Sequence, residues 1–313
     1  MADVVDTSPH AVAHDPTKGF LYSLAGIALI AWTTFVFAKY ALDEERGFSP
    51  GMFGLLWTSA ASVYLVAMLA ARGRLGDVRV PRAVAAKLTV AGLFAGAAHV
   101  LFWSGLARLD ASFAAFLMRF APVLVILGSV AFLGERLRWI EAAAIGVMVL
   151  GGCVSSLGDW RVVGTGVVLI LLSAVTAMIW RLIFKAQLQR IRPMGANAYR
   201  LFMSFAVLLT WVLCTGDHRV SAEPGRWAAL LVGAFLGPCV AMTLLFHSYR
   251  YWDLSKASMV WMAEPLFVLP VALLMPSASL TWRQFAGGMI ILAGGFWLVW
   301  MHGRHRQRGR RDA

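Results

Sequence analysis

Ten stretches of this chain are apolar over about the length that a lipid bilayer requires. A membrane-spanning helix needs roughly 20 consecutive, mostly apolar residues, and the sequence is 60% hydrophobic with only 14% charged residues. The runs are continuously apolar rather than alternating, which argues against a transmembrane β-barrel. The sequence therefore predicts an all-α integral membrane protein, with ten transmembrane helices at residues 19–42, 52–71, 87–106, 111–133, 140–157, 164–184, 196–215, 227–249, 257–275 and 283–301.

The net charge of +12 is distributed unevenly among the loops. Most cations lie in alternate loops, at 72–87, 136–138, 185–192 and 250–256, and in the C-terminal segment 302–313. Cytoplasmic loops carry the excess of Lys and Arg, so we expect both termini in the cytoplasm and the protein in the inner (plasma) membrane. The polar segment 1–18 lacks the order of a cleavable signal peptide and is predicted to be a cytoplasmic tail. The basic tail 302–313 suits anionic lipid headgroups better than nucleic acid.

No pattern in the sequence indicates a cofactor. The three cysteines, Cys153, Cys214 and Cys239, have no metal-type spacing and are interpreted as packing residues. The phosphate-binding pattern G-x-x-x-x-G-K-S/T does not occur. We therefore expect no metal, no bound cofactor and no ATP-driven mechanism.

The chain contains an internal repeat. At a constant offset of 143 residues, Trp139 falls on Trp282 and Pro122 on Pro265. Each half then holds five spans, and an odd number places the second half upside down relative to the first. Such inverted repeats can expose a shared central site to either side of the membrane in turn. This predicts alternating access between two domains, at 19–157 and 158–301.

Two segments carry a resemblance to a known family. They are "GLARLDASFAAFLMRFAPVLVILGSVAFLGERLRWIEAAAIGVMVLGG" (105–152) and "SYRYWDLSKASMVWMAEPLFVLPVALLM" (248–275). In them the chain resembles the EamA branch of the drug/metabolite transporter (DMT) superfamily. The resemblance implies ten helices as two five-helix repeats and a metabolite or drug exporter rather than an enzyme. The first repeat has Gly134-Glu135 after its fourth span and the second has Ser277-Ala278 there, so a capping or gating contact of Glu135 is expected on one side only.

Two ionisable side chains fall well inside predicted spans, where a charge is costly and marks a functional site by default. Glu264 is a candidate ligand for a substrate amine or a proton-coupling carboxylate, and Arg119 is a candidate ligand for a substrate carboxylate. Pro122 and Pro265 lie beside them and are predicted to break their helices, which frees backbone carbonyls for a polar ligand. Alternatively, Glu264 and Arg119 form an interhelical hydrogen bond or an ion pair that only fixes packing.

Five further residues are candidates to line a central cavity. His99 could bind substrate or relay protons, with an interhelical hydrogen bond as the alternative. Four tryptophans lie deep in spans and could form flat walls, with packing as the alternative: Trp32, Trp103, Trp180 and Trp261. Arg181 and Lys39 are expected to extend their charges toward a headgroup region, and a cavity role for Arg181 is the alternative.

Together these features predict a secondary active transporter for a small organic metabolite, amino acid or drug-like in nature. The predicted direction is export, with protons as a candidate coupling ion, and the oligomeric state stays open. One alternative is a membrane scaffold or sensor that transports nothing. The other is a membrane enzyme acting on a lipid-linked substrate, but the acids, histidines and serines are scattered rather than gathered at one membrane face.

Overall fold

A computed structural model describes residues 15–42, 47–106, 118, 120–135, 164–261 and short pieces at 139, 142–144, 146–147, 150–151, 264, 267, 282, 286, 289–290, 293 and 297. Within these residues the chain is helical and contains no strand. The first helix, α1, covers Pro16–Trp32 and continues through a π-helical segment, Thr33–Ala38, to Lys39–Ala41. The other helices are α2 (Pro50–Ala71), α3 (Arg82–Leu106), α4 (Phe120–Leu133), α5 (Thr165–Gln187), α6 (Pro193–Thr215), α7 (Pro224–Tyr251) and α8 (Leu254–Trp261).

Five of these helices are long and apolar enough to cross a membrane, namely α2, α3, α5, α6 and α7. Helix α4 is a shorter apolar helix. These findings confirm a multi-pass, all-helical membrane protein. They do not confirm ten spans, because most of the predicted fifth, ninth and tenth spans lie outside the described residues, as do the residues before 15 and after 297.

Helix starts in this bundle are set by local sequence. Prolines occupy the first helical position of α1, α2, α6 and α7, where the missing N–H costs nothing and the fixed φ angle favours the helix. At α1 the side chain of Asp15 also accepts hydrogen bonds from the amides of Thr17 and Lys18, each at 3.1 Å. Helix α6 ends at Gly216, whose φ of +67° is a left-handed conformation that glycine adopts without strain.

The loops gather at two ends of the bundle. At one end Arg192 pairs with Asp77 at 3.2 Å, and the amide of Asp15 donates to the carbonyl of Tyr251 at 3.0 Å. At the other end the Asp217 carboxylate accepts from the amide of Gly51 at 2.8 Å. The cation-rich loops predicted on one side therefore include three that meet at the end where α1 begins, which we call the basic end.

Helix α3 packs against both α5 and α6. Its small-residue run "AGLFAGAA" (91–98) makes this approach close. A Cβ added at Gly92 would lie 2.8 Å from the carbonyl oxygen of Tyr199 and 2.6 Å from the Cβ of Met203, both on α6. Glycine at position 92 therefore fixes the distance between α3 and α6.

We expect Gly92→Ala to destabilise the protein by about 1–3 kcal/mol, because the added methyl group meets backbone that cannot move aside cheaply. The measurement is the thermal unfolding midpoint of the purified protein in detergent. Gly76→Ala is the matched control, since a Cβ there has nothing within 4 Å. Equal midpoints for the two variants would contradict the close helix contact.

Candidate functional site

Arg181 lies in the interior, contrary to its expected extension toward headgroups. It sits six residues before the end of α5, about 9 Å from that end at the helical rise of roughly 1.5 Å per residue. Only 7% of its surface is exposed. Its guanidinium carbon lies 4.0 Å from the centre of the Trp261 ring and 5.2 Å from that of Trp180. The expectation was wrong because Arg stacks on indole faces and is weakly hydrated, so an aromatic surface can hold it in the bundle.

Glu264 and Tyr249 lie close to this arginine. Glu264 is buried, and Arg181 interacts electrostatically with both Tyr249 and Glu264. Arg119, the cation predicted to pair with Glu264, lies outside the described residues. Within the described part of the chain, Arg181 is a buried cation that interacts electrostatically with Glu264.

A second buried arginine, Arg200 of α6, was not singled out by the sequence analysis. Its Nε donates to Oδ1 of Asn197 and its Nη2 to the carbonyl of Pro238, both at 2.9 Å. The Asn197 amide donates in turn to the carbonyls of Pro238 (2.9 Å) and Cys239 (3.1 Å) and to the Thr243 hydroxyl (3.0 Å). Pro238 lies in a π-helical segment of α7, Phe235–Ala241, and wide turns of this kind are frequent at functional sites.

The two arginines belong to one group, since Tyr249 interacts electrostatically with both. His99 of α3 joins it through its interaction with Arg200. We call Arg181, Arg200, Tyr249, His99 and Glu264 the interior polar cluster. Among the described residues, Nε and Nη1 of Arg181, Nδ1 of His99 and the Tyr249 hydroxyl are buried without a hydrogen-bond partner. Native interiors rarely leave such atoms unpaired, so this cluster is the candidate site.

Trp180 and Trp261 border the interior polar cluster through their contacts with Arg181. Trp180 also meets the rings of Phe184 and Phe246 edge-on, at 5.9 and 6.4 Å between centroids. These two predicted tryptophans, with Glu264 and His99, are the candidate residues that the structure brings together.

The other predicted residues lie elsewhere. Trp103 packs edge-on against Phe53 at 5.6 Å, in a separate aromatic group with Trp57. Trp32 is 53% exposed, and its indole nitrogen donates to the carbonyl of Phe267 at 3.2 Å. Pro122 is buried in α4, one position after buried Ala121, whereas Pro265 lies outside the described residues. Among the described residues, there is no group of three or more His, Cys, Asp or Glu side chains that could hold a metal ion.

Glu135 makes a capping contact of the kind expected on its side, whereas Ser277-Ala278 of the other side lie outside the described residues. Its two carboxylate oxygens accept from the amides of Leu254 and Ser255, each at 2.8 Å, at the start of α8. Nearby, Lys185 donates to the carbonyls of Tyr249 and Trp252, each at 2.5 Å. The Glu135 contact joins residues from the two halves of the chain at the basic end.

We expect Glu135→Ala to lower the free energy of unfolding by about 1–3 kcal/mol, because two amides at a helix start lose their charged acceptor. Glu135→Gln keeps one side-chain oxygen and should fall between the wild type and Glu135→Ala. Thermal unfolding of the three purified proteins measures this order. If Glu135→Ala and the wild type have the same unfolding temperature, the cap does not stabilise the basic end.

Comparison with known proteins gives two further findings. A family model described as "EamA-like transporter family" matches residues 18–157 and, a second time, residues 164–300. Twenty-nine chains of known structure match. One of them, described only as "Crystal structure of protein", superposes with a TM-score of 0.75 at 21% identity, over 92% of this chain and 99% of its own. At this level of identity, the similarity shows the fold alone. No curated protein matches.

Proposed function

Because this chain belongs to the EamA-like transporter family of the DMT superfamily, we propose that it is a secondary active transporter that exports a small organic metabolite, amino acid or drug-like, across the cytoplasmic membrane. The observation that carries the proposal is the interior polar cluster. Burying arginines among apolar helices is costly unless they are paired or have a function, and Arg181 keeps two buried donor nitrogens without a partner among the described residues. A solute that supplies acceptors would account for them.

The proposed mechanism is alternating access between two inverted five-helix repeats, 19–157 and 158–301, flanked by cytoplasmic tails at 1–18 and 302–313. The contact of Glu135 with the start of α8 supports this, because it ties the first repeat to the second at the basic end. Opening toward that end requires the contact to break. In this scheme the basic end faces the cytoplasm, and the Glu135 contact belongs to a state that is closed on that side.

The proposed substrate-binding residues are Glu264, Arg119, Trp32, His99, Trp103, Trp180 and Trp261, with Pro122 and Pro265 as helix breaks. Support differs among them. Trp180 and Trp261 contact Arg181, whereas Glu264 interacts electrostatically with Arg181 and His99 with Arg200. Trp103 and Trp32 lie outside this group and would meet a solute elsewhere on its path. Glu264 is also the proposed proton-coupling carboxylate.

Inside-out membrane vesicles test the proposed export. Vesicles from cells that produce the protein should take up at least one class from a panel of amino acids, amines, nucleosides and sugars, and vesicles from cells without it should not. Uptake must depend on an ion gradient rather than on ATP. If a folded, membrane-inserted protein adds no uptake of any panel member, the alternative of a scaffold or sensor replaces transport.

A further inference from the structure

We propose that the interior polar cluster recognises a small organic anion, such as a monocarboxylate carrying a flat apolar group, and that Arg181 is the residue that binds the anionic end. The inference deepens the proposed function and rests on it, because it names the class of solute that the transporter would carry. It follows from a comparison of the two buried arginines, from the charges around them and from the rings beside Arg181.

The buried charges do not balance within the described residues. The buried charged side chains there are Arg181, Arg200, Arg226 and Glu264. Arg226 pairs with Glu223 at 2.7 Å, at the start of α7 and far along that helix from Tyr249. Two arginines therefore remain with one glutamate in the interior polar cluster, which leaves one positive charge. An anion bound there would restore neutrality in a medium where unbalanced charge is costly.

The two arginines differ in how many of their N–H groups donate hydrogen bonds. Arg200 donates to the Asn197 side chain and to the Pro238 carbonyl, so its orientation is fixed by α6 and α7. Arg181 has one face stacked on Trp261 at 4.0 Å, and its Nε and Nη1 are buried without a partner in the described part of the chain. Stacking occupies the face of a guanidinium and leaves its N–H edges for in-plane acceptors. Arg181 is therefore the free anchor and Arg200 the fixed neighbour.

The surroundings of Arg181 favour an anion with a flat apolar part. Tyr249 lies within electrostatic range of both arginines, and its hydroxyl lacks a hydrogen-bond partner among the described residues, so it can donate to a second oxygen of a carboxylate. The rings of Trp180 and Trp261 lie within 5.2 Å of the guanidinium carbon. Aromatic walls beside a cation bind planar apolar groups through stacking. Glu264 interacts electrostatically with the same arginine, and its negative charge disfavours solutes of higher negative charge.

Binding to the purified full-length protein in detergent tests the inference. The probes are phenylacetate, its neutral isostere phenylacetamide, the cation phenethylamine and the zwitterion phenylalanine, titrated by calorimetry. We expect phenylacetate to bind about tenfold or more tightly than phenylacetamide, which is the effect of a charge-assisted hydrogen bond to a buried arginine. Equal or tighter binding of the amide, the amine or the zwitterion, or no binding by any probe, would overturn it.

Variants assign the preference to Arg181. Arg181→Gln should abolish the anion preference, whereas Arg192→Gln, the same change at an exposed arginine paired with Asp77, should retain it. If Arg181→Gln does not fold, Arg181→Lys keeps the charge without the fork and should weaken phenylacetate binding while phenylacetamide binding changes little. Retention of the full preference in the Arg181 variant would contradict the assignment.

Binding in detergent can be measured without any transport of solute across a membrane. The proposal of transport and the proposal of anion recognition can therefore fail independently. If phenylacetate binds as expected and vesicles move no solute, transport is wrong and anion recognition stands. If vesicles move a neutral or cationic solute and anions do not bind, transport stands and anion recognition is wrong.

Discussion

Asn197→Leu is expected to lower the free energy of unfolding by about 3–5 kcal/mol, the cost of removing one partner from a buried charged network. The Asn197 side chain accepts from Arg200 and donates to two carbonyls of the π-helical segment of α7. Leucine has the same branching as asparagine, with a larger volume, but supplies neither group. Nε of Arg200 would then be buried without its acceptor, and of these hydrogen bonds between α6 and α7 only the one from Nη2 of Arg200 to the Pro238 carbonyl would remain. Thermal or denaturant unfolding of the purified protein measures the loss.

Ser204→Ala is the matched control for this prediction. Ser204 is fully buried on the same helix, and its hydroxyl has no hydrogen-bond partner among the described residues. Removing that hydroxyl should change stability by about 1 kcal/mol or less, because no internal hydrogen bond is broken. If Asn197→Leu is as stable as Ser204→Ala, the asparagine network does not hold α6 to α7.

Glu264→Gln is expected to abolish accumulation driven by a pH gradient while leaving exchange of solute across the membrane. The amide keeps the shape of the carboxylate but cannot take up or release a proton at physiological pH, so a coupled carrier becomes an uncoupled one. The expected loss of gradient-driven accumulation is at least tenfold, because in this proposal Glu264 is the one proton-coupling group and no other side chain takes over its role. Reconstituted vesicles with imposed pH gradients measure it, with counterflow in the same vesicles as the control.

Two results would contradict this prediction. Transport that stays unchanged in Glu264→Gln at every pH tested would show that the carboxylate does not couple protons. Loss of both accumulation and counterflow would indicate that Glu264 positions Arg181 or binds solute instead. Its electrostatic interaction with Arg181 makes the second outcome the relevant rival.

The sequence predicted those features that the bilayer or local chemistry determines. Helices α2, α3, α5, α6 and α7 lie where the apolar runs placed spans, because lipid requires both an apolar surface and internal backbone hydrogen bonds. A capping or gating contact of Glu135 was also expected, because the Gly134-Glu135 pair resembles the family's pattern at this position. The contact partners of Glu135, Leu254 and Ser255, were not.

The interior polar cluster could not be read from the sequence because it depends on contacts between distant segments. An arginine six residues from the end of α5 can extend to the headgroups or turn inward, and what decides for Arg181 is Trp261, 80 residues further along the chain. Arg200 was missed although a signal was present. Asn197 and Arg200 share one helical face in an apolar span, and such a pair requires acceptors from a neighbouring helix.

Depth in a span also proved to be a weak guide to which tryptophans meet. Trp103 and Trp180 were equal candidates, yet Trp180 adjoins Arg181 and Trp103 packs against Phe53. Hydropathy places a residue along the membrane normal but says nothing about the direction in which it faces. That direction follows from helix packing, which here depends on close contacts such as that of Gly92 with α6.

The most direct test of a transporter that works through the interior polar cluster is counterflow in proteoliposomes. Vesicles loaded with unlabelled phenylacetate and placed in a trace of labelled phenylacetate should transiently accumulate the label with wild-type protein and with Arg192→Gln. They should not accumulate it with Arg181→Gln. Absence of counterflow with folded wild-type protein, or equal counterflow with Arg181→Gln, would contradict the account.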